Sequence, residues 1–208
     1  MEGRIARWYA ANTRKDIEQF RKLARRVASE LPALSAVLEV APGPGYFAIE
    51  LAKLGSYRIT GLDISQTFVG IAQHHAAEAE VNVDFRQGNA SAMPLPDASF
   101  DFLLCRAAFK NFSEPVDALR EMRRVLKPGG RGLIIDLRPD ASREAINTYV
   151  DHLGLSWWSA SMTKLTFRFM LLKRAHSKAQ LERFLADAGV RSFEIHEEPM
   201  GFEVWLRK

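Results

Sequence analysis

Residues 36–137 hold five short apolar runs, at 36–40, 57–62, 81–86, 100–105 and 132–137. Stretches with helical spacing separate most of them, at 46–54, 66–79 and 114–126. Strands that are apolar on successive residues need cover on both faces. Strands that alternate with helices run parallel, because each return crosses a face of the sheet. The expected fold class is α/β: a doubly wound, Rossmann-like sheet with helical lid segments. After residue 137 the rhythm changes. Residues 139–175 read as helical or irregular, and 177–188 as a helix closed by Gly189. Runs at 190–196 and 202–206 flank a short turn, a hairpin that adds an antiparallel strand.

At 208 residues the chain reads as a single domain. Its expected parts are a helical cap over 1–32, a cofactor-binding core over 33–138, a substrate lid over 139–175, and a helix with terminal hairpin over 176–208. In the cap, Ile17, Phe20, Leu23, Ala24 and Val27 recur at three- and four-residue steps from Thr13 onward, and Pro32 ends the pattern. One cysteine, Cys105, excludes an internal disulfide and any Cys-built cluster. It reads as a buried strand residue and fits a reducing compartment. The start lacks the apolar centre of a signal peptide, and no run approaches the ~20 apolar residues that span a bilayer. The expected location is cytoplasmic.

The net charge of +4 lies within residues 1–30, where eight Lys and Arg face four acids, and the remainder balances. A solvated helix face accounts for it; an anionic substrate or polyanion surface is the sharper alternative. Leu165, Phe169, Met170 and Leu172 beside Lys164, Arg168, Lys173 and Arg174 form a basic amphipathic stretch. Burial on the sheet or at a dimer contact is expected there ahead of attachment to a membrane surface.

The segment 37–46 reads strand, glycine turn, helix start: Val37-Leu38-Glu39-Val40-Ala41-Pro42-Gly43-Pro44-Gly45-Tyr46. Glycines there let a ligand approach the backbone, and a new helix offers unpaired N–H groups. Asp63 ends the next strand, 20 residues after Gly43. Adjacent strand ends share one crevice, so Asp63 is placed to accept both hydroxyl hydrogens of a ribose. Gly43, Gly45 and Ala48 also satisfy the dinucleotide spacing, which leaves NAD and other adenosine cofactors open on these residues alone.

Two later stretches carry a resemblance. Phe85-Arg86-Gln87-Gly88-Asn89-Ala90 leads through Met93-Pro94-Leu95-Pro96-Asp97 into the fourth strand. Leu119-Arg120-Glu121-Met122-Arg123-Arg124-Val125-Leu126-Lys127-Pro128-Gly129-Gly130 leads into the fifth. With the glycine turn and the terminal hairpin, the chain resembles the class I S-adenosylmethionine-dependent methyltransferases of the UbiE-like, or type 11, group. The resemblance implies a seven-stranded sheet of order 3-2-1-4-5-7-6 with strand 7 antiparallel. It implies S-adenosyl-L-methionine as cofactor and S-adenosyl-L-homocysteine as product. Glu39 with Ala41, Pro42, Gly43 and Gly45 would cradle the methionine part. Asp63 would hold the ribose, Ile64 would lie against the adenine, and Asn89 and Ala90 would meet its edge. Arg106 would border the transferred methyl, and Tyr9, with Trp8 and Arg14, would close over the cofactor. Ala41 departs from the family's usual glycine and Asn89 from its common aspartate. The first is expected to narrow the pocket, the second to leave a weaker neutral acceptor.

Displacement at a sulfonium needs positioning and exclusion of water more than a catalytic triad. Candidates for acceptor chemistry are Arg106, Lys110 and Asn111 after the fourth strand and Asp136 after the fifth, with Phe109 and Phe112 as walls. A solvated Lys110 and a salt-bridged Asp136 are the plainer readings. His152 is a further candidate base, while His74 and His75 read as exposed helix residues with no metal site. Trp157 and Trp158 suit an aromatic acceptor or an amine, though core packing of at least one is expected. The expected partner is a small-molecule acceptor, with nucleic acid disfavoured and a monomer or homodimer. Methylation of RNA or a membrane quinone, and a non-catalytic cofactor-binding role, remain as alternatives.

Overall fold

The structure, a computed structural model, describes residues 2–151, 157–167 and 171–208. Seven strands form one sheet in the order β3-β2-β1-β4-β5-β7-β6. β1 (Ala36–Val40) lies between β2 (Arg58–Asp63) and β4 (Phe100–Arg106), parallel to both. β3 (Asp84–Gln87) and β5 (Leu126–Leu137) continue the parallel pairing outward. β7 (Gly201–Arg207) runs antiparallel to β5 and to β6 (Ser192–Glu197). Strand order and the reversed strand are those implied by the sequence resemblance.

Successive strand residues feed two separate cores, which is why the runs are apolar without alternation. Val37, Phe102, Leu104 and Leu133 pack with α2 (Ile17–Ala28), α3 (Tyr46–Ala52) and α4 (Gln66–Glu78). Their neighbours Leu38, Leu103, Cys105 and Ile134 pack with α5 (Pro115–Val125) and α9 (Lys178–Asp187) on the opposite face. Burying each large apolar side chain is worth about 1.5–3 kcal/mol, so the central strands are the most strongly held part of the molecule. Two serines cap helices that the sequence placed without naming their caps. Ser65 accepts from Phe68 N at 3.1 Å to start α4, and Ser177 with Gln180 forms a capping box at α9.

Three elements differ from expectation. A separate helix, α1 (Gly3–Thr13), precedes α2, joined to it by one tight turn at Arg14–Asp16. Its buried residues are Ala6 and Ala10, too small to register as a hydrophobic stripe. β3 is shorter than the apolar run around it. Val81 and Val83 pack on the core unpaired, and Val81 N donates to Ala76 O as α4 closes. β5 begins earlier, because Phe100 pairs with Leu126 and Phe102 with Arg131 while Gly129 (φ 78°) and Gly130 bulge out between.

Beyond β5, α6 (Arg143–Asp151), α7 (Trp157–Thr166) and the single turn α8 (Leu172–Arg174) share a small core of their own. It comprises Ile146, Val150, Phe167 and Leu172. Among the described residues no helix is long and apolar enough to cross a membrane.

Candidate functional site

The glycine turn sits where β1 ends, at the rim where β2, β4 and β5 also end. Ala41, Gly43 and Gly45 all have positive φ, at 55°, 55° and 79°. A Cβ on Gly43 would meet nothing within 4 Å, so its backbone faces open space. A Cβ on Gly45 would lie 2.6 Å from the Phe85 ring, and one on Gly61 only 2.4 Å. Phe85 thus fills the space behind the turn, and both glycines are required for it. Ala41 carries the left-handed strain that a glycine would avoid, about 1–2 kcal/mol. Its departure from the family pattern is a conformational cost, a consequence the narrowed-pocket expectation did not contain.

Two carboxylates flank the turn. Glu39 is buried, and its Oε2 accepts from Ala48 N at 3.1 Å. Burial pushes it from 4.5 up to about 8, against the opposing pull of the Ala48 hydrogen bond and the Arg106 charge. Asp63, also buried, accepts from Gly43 N and Ser65 N, each at 2.9 Å. Burial raises it too, and those two hydrogen bonds oppose the rise. Asp63 therefore ties β2 to the glycine turn, and each oxygen keeps a second lone pair for a ligand hydroxyl. Among the described residues neither acid makes an ion pair. His75 braces the same turn, with Nδ1 3.0 Å from Pro44 O and its ring stacked on Tyr46 at 5.2 Å. This corrects its reading as an exposed helix residue.

The structure brings the remaining cofactor candidates to the same rim. Ile64 follows Asp63 and is exposed, an apolar surface open at the crevice mouth. Ala90 is half-buried, while Asn89 is exposed and turns Oδ1 to Ser91 N at 3.0 Å. That bond uses one lone pair of the oxygen expected at the adenine edge. Tyr9 packs edge-on against Phe68, ring centroids 5.8 Å apart. Trp8 is 68% exposed, and Arg14 is exposed with its charge close enough to Tyr46 to oppose the rise that burial causes in that phenol. Tyr46 OH donates to Ala10 O at 2.9 Å, which anchors α1 at the rim.

Arg106 ends β4 with its guanidinium 4.4 Å from the centre of the Phe20 ring and 3.2 Å from Gln19 Oε1. Asp16 lies close enough for the Arg106 charge to oppose the rise that burial causes in its carboxyl. Tyr149 of α6 joins this group. Burial raises its phenol, Asp16 adds to the rise, and Arg106 and the Gln19 hydrogen bond oppose it. Asp16, Gln19 and Tyr149 escaped the sequence reading because they come together only when α6 meets the start of α2. Ser65, two residues after Asp63, was not singled out in the sequence; its side chain caps α4 by accepting from Phe68 N.

The candidates beyond β4 and β5 lie deeper than expected. Lys110 is buried, not solvated. Its Nζ pairs with Asp136 Oδ1 at 2.8 Å and donates to Ala107 O at 2.6 Å. Asp136 also accepts from Lys110 N and Leu137 N, each at 2.8 Å. The pair locks the end of β4 to the end of β5, the salt-bridge reading of Asp136. Phe109 is buried against Phe112 and His176. Asn111 is exposed. The Trp157 and Trp158 rings touch at a tilt of 34° with centroids 4.4 Å apart, and both face solvent, against the expectation that one is core. His152, Arg168, Phe169 and Met170 lie outside the described residues. Among the described residues no His, Cys, Asp or Glu cluster could hold a metal ion.

The donor set fits an adenosyl amino acid. Glu39 is a buried acid without a counter-ion, Gly43 offers open backbone, Asp63 has spare acceptor capacity, and Ile64 is bare. Comparisons with known proteins agree. Residues 38–134 match the family described as a methyltransferase domain. Demethylmenaquinone methyltransferase of Deinococcus radiodurans is 40% identical over 121 residues, 57% of this chain and 50% of that protein. The protein of the same name from Chlorobaculum tepidum is 31% identical over 175 residues, 80% of this chain and 69% of that one. The chain spans about half the length of the first relatives it matches. A provisionally assigned S-adenosyl-L-methionine-dependent methyltransferase of Methanococcus maripaludis shares the fold. Its TM-score is 0.79 at 22% identity, covering 98% of this chain and 91% of that one. With relatives aligned across the glycine turn and a sheet of this order beneath it, the chain belongs to the S-adenosylmethionine-dependent methyltransferase family.

Proposed function

We propose that the chain transfers a methyl group from S-adenosylmethionine to a small-molecule acceptor. The observation that carries this reading is the pair of buried, unpaired acids, Glu39 and Asp63, on either side of a glycine turn with open backbone. Glu39 would take the ammonium end of the cofactor, a cation that offsets its desolvation. Asp63 would accept from the ribose hydroxyls while still holding Gly43 N and Ser65 N. Ile64 would cover the adenine face, with Asn89 and Ala90 at its edge. The cofactor, when bound, supplies a sulfonium methyl that leaves by in-line displacement.

Arg106 and Tyr149 would stand on the acceptor side. Arg106 is held by Phe20 and Gln19, so its position is set before any ligand arrives. Tyr149 would present a neutral phenol there: a tyrosine holds its proton at neutral pH, and burial raises this one further. Two relatives are demethylmenaquinone methyltransferases, so demethylmenaquinone is the first acceptor to assay. The test is a calorimetric titration with S-adenosylmethionine and S-adenosylhomocysteine, followed by detection of S-adenosylhomocysteine formed over a panel of quinols, phenols and amines. Binding with turnover on one acceptor is expected. Absence of binding overturns the reading, and binding without turnover across the panel favours a non-catalytic cofactor-binding role.

A further inference from the structure

Among the described residues, nine large apolar side chains are exposed, and six of them lie on two short helices. Ile5 and Trp8 are on α1; Trp157, Trp158, Met162 and Leu165 are on α7. α7 is turned inside out. Ala160, Thr163 and Lys164 are its half-buried residues, while its tryptophans, 69% and 66% exposed, point outward. α1 likewise buries Ala6 and Ala10 and exposes Trp8 beside Arg4 and Arg7. Concentrated apolar exposure of this kind marks an interaction surface.

α1 lies at the rim where the strands end, and α7 packs through Ala160 into the cluster that holds Leu137 at the end of β5. The start of α1 is fixed to α4 just past the end of β2, through Gly3 N donating to Thr67 Oγ1 at 3.1 Å and through the Glu2 carboxylate accepting from Thr67. α7 follows α6, whose Tyr149 reaches the Asp16–Gln19 segment that joins α1 to α2. We propose that this face docks the protein on an anionic lipid bilayer, with the tryptophans at headgroup depth and Arg4 and Arg7 against lipid phosphates. The charge pattern selects this occupant. Neither α1 nor α7 contains an acidic residue. Glu2 is turned back onto Thr67, and Asp151, beside α7, is paired with Lys164 at 2.9 Å. A second copy meeting this face would set arginine against arginine. Tryptophan with arginine on one short helix suits the boundary between water and hydrocarbon, and no described helix is long and apolar enough to cross a membrane.

Docking rests on exposure and charge, not on methyl transfer, so it is measured without an acceptor. The full chain is co-sedimented with vesicles of mixed phosphatidylglycerol and phosphatidylcholine, and with phosphatidylcholine alone, at low and high salt. Binding to the anionic vesicles, weakened by salt and accompanied by a blue shift of tryptophan emission, is expected. At about fivefold per basic residue near an anionic surface, Arg4→Gln with Arg7→Gln should lower partitioning on the order of twentyfold. Trp8→Ser with Trp157→Ser and Trp158→Ser should abolish the blue shift. Unchanged S-adenosylhomocysteine affinity in each variant shows that the fold and crevice are intact. Absence of vesicle binding, equal binding to neutral vesicles, or binding that survives the arginine changes overturns the proposal. So does a concentration-dependent dimer that Trp157→Ser dissolves, which would give the face to a second copy.

Discussion

Beneath the glycine turn, Phe47, Phe102 and Leu104 are almost wholly enclosed, whereas on α7 Trp157 and Trp158 lie mostly in water. The two regions border the same rim with opposite use of apolar surface. Below the turn, strand residues are held from both faces and the acids are desolvated by that packing. On α6–α8, a core of four buried residues holds the helices together and leaves the largest side chains outside. The difference teaches where each property comes from. A two-sided core lies under the crevice, while α6–α8 rest on four buried residues. Low local contact density of this kind goes with the least stable parts of a fold.

The contrast breaks most readily at its strong end. Phe102→Ala should cost about 3–5 kcal/mol, read from chemical denaturation; a loss no larger than a surface change would mean the core beneath the crevice is not what holds it. Asp63→Ala should weaken S-adenosylhomocysteine binding by about 1–3 kcal/mol, because a charged acceptor is lost and two backbone donors of the turn go unpaired. Calorimetry checks it, and unchanged affinity would remove Asp63 from the ribose.

Glu39 sharpens the comparison through pH. Its pKa in the fold is raised to about 8, so between about 4.5 and 8 the folded protein keeps a proton that the unfolded chain has lost. Stability without ligand should therefore fall as pH rises through that window, and Glu39→Gln should flatten the slope in a melting-temperature series. A cation bound beside Glu39 lowers its pKa, so cofactor binding at pH 7 should release a proton, seen as a buffer-dependent binding enthalpy. Ala41→Gly should relieve left-handed strain but loosen the unfolded chain, for a net change of about 1 kcal/mol or less in melting experiments. At the weak end, Trp157→Ser should shift stability by no more than about 0.5 kcal/mol. A larger loss would show α7 to be better packed than its exposed tryptophans indicate.

What was legible in the chain is what depends on near neighbours. Apolar runs 36–40 and 100–105, the turn at 41–45, and Asp63 at the end of the next strand are local patterns with local causes. They led to the sheet and to the crevice. The sequence misled where a residue's surroundings come from afar. Lys110 looked solvated because Asp136, its partner, lies 26 residues away. His75 looked exposed because Pro44 and Tyr46 reach it only through the fold. Helix α1 lay inside the expected cap over 1–32, but its separate bounds went unread because alanines bury it.

By itself the sequence determined the strand–helix alternation, the glycine turn and the acids beside it, since periodicity, capping and turn chemistry act within a few residues. Only the tertiary structure decided that Glu39 and Asp63 are desolvated together, that Lys110 and Asp136 neutralise each other, that Tyr149 meets Asp16 and Gln19, and which side of α7 faces out. Burial and charge pairing depend on what packs against a residue, and that partner is chosen by the whole chain's packing rather than by its neighbours in sequence.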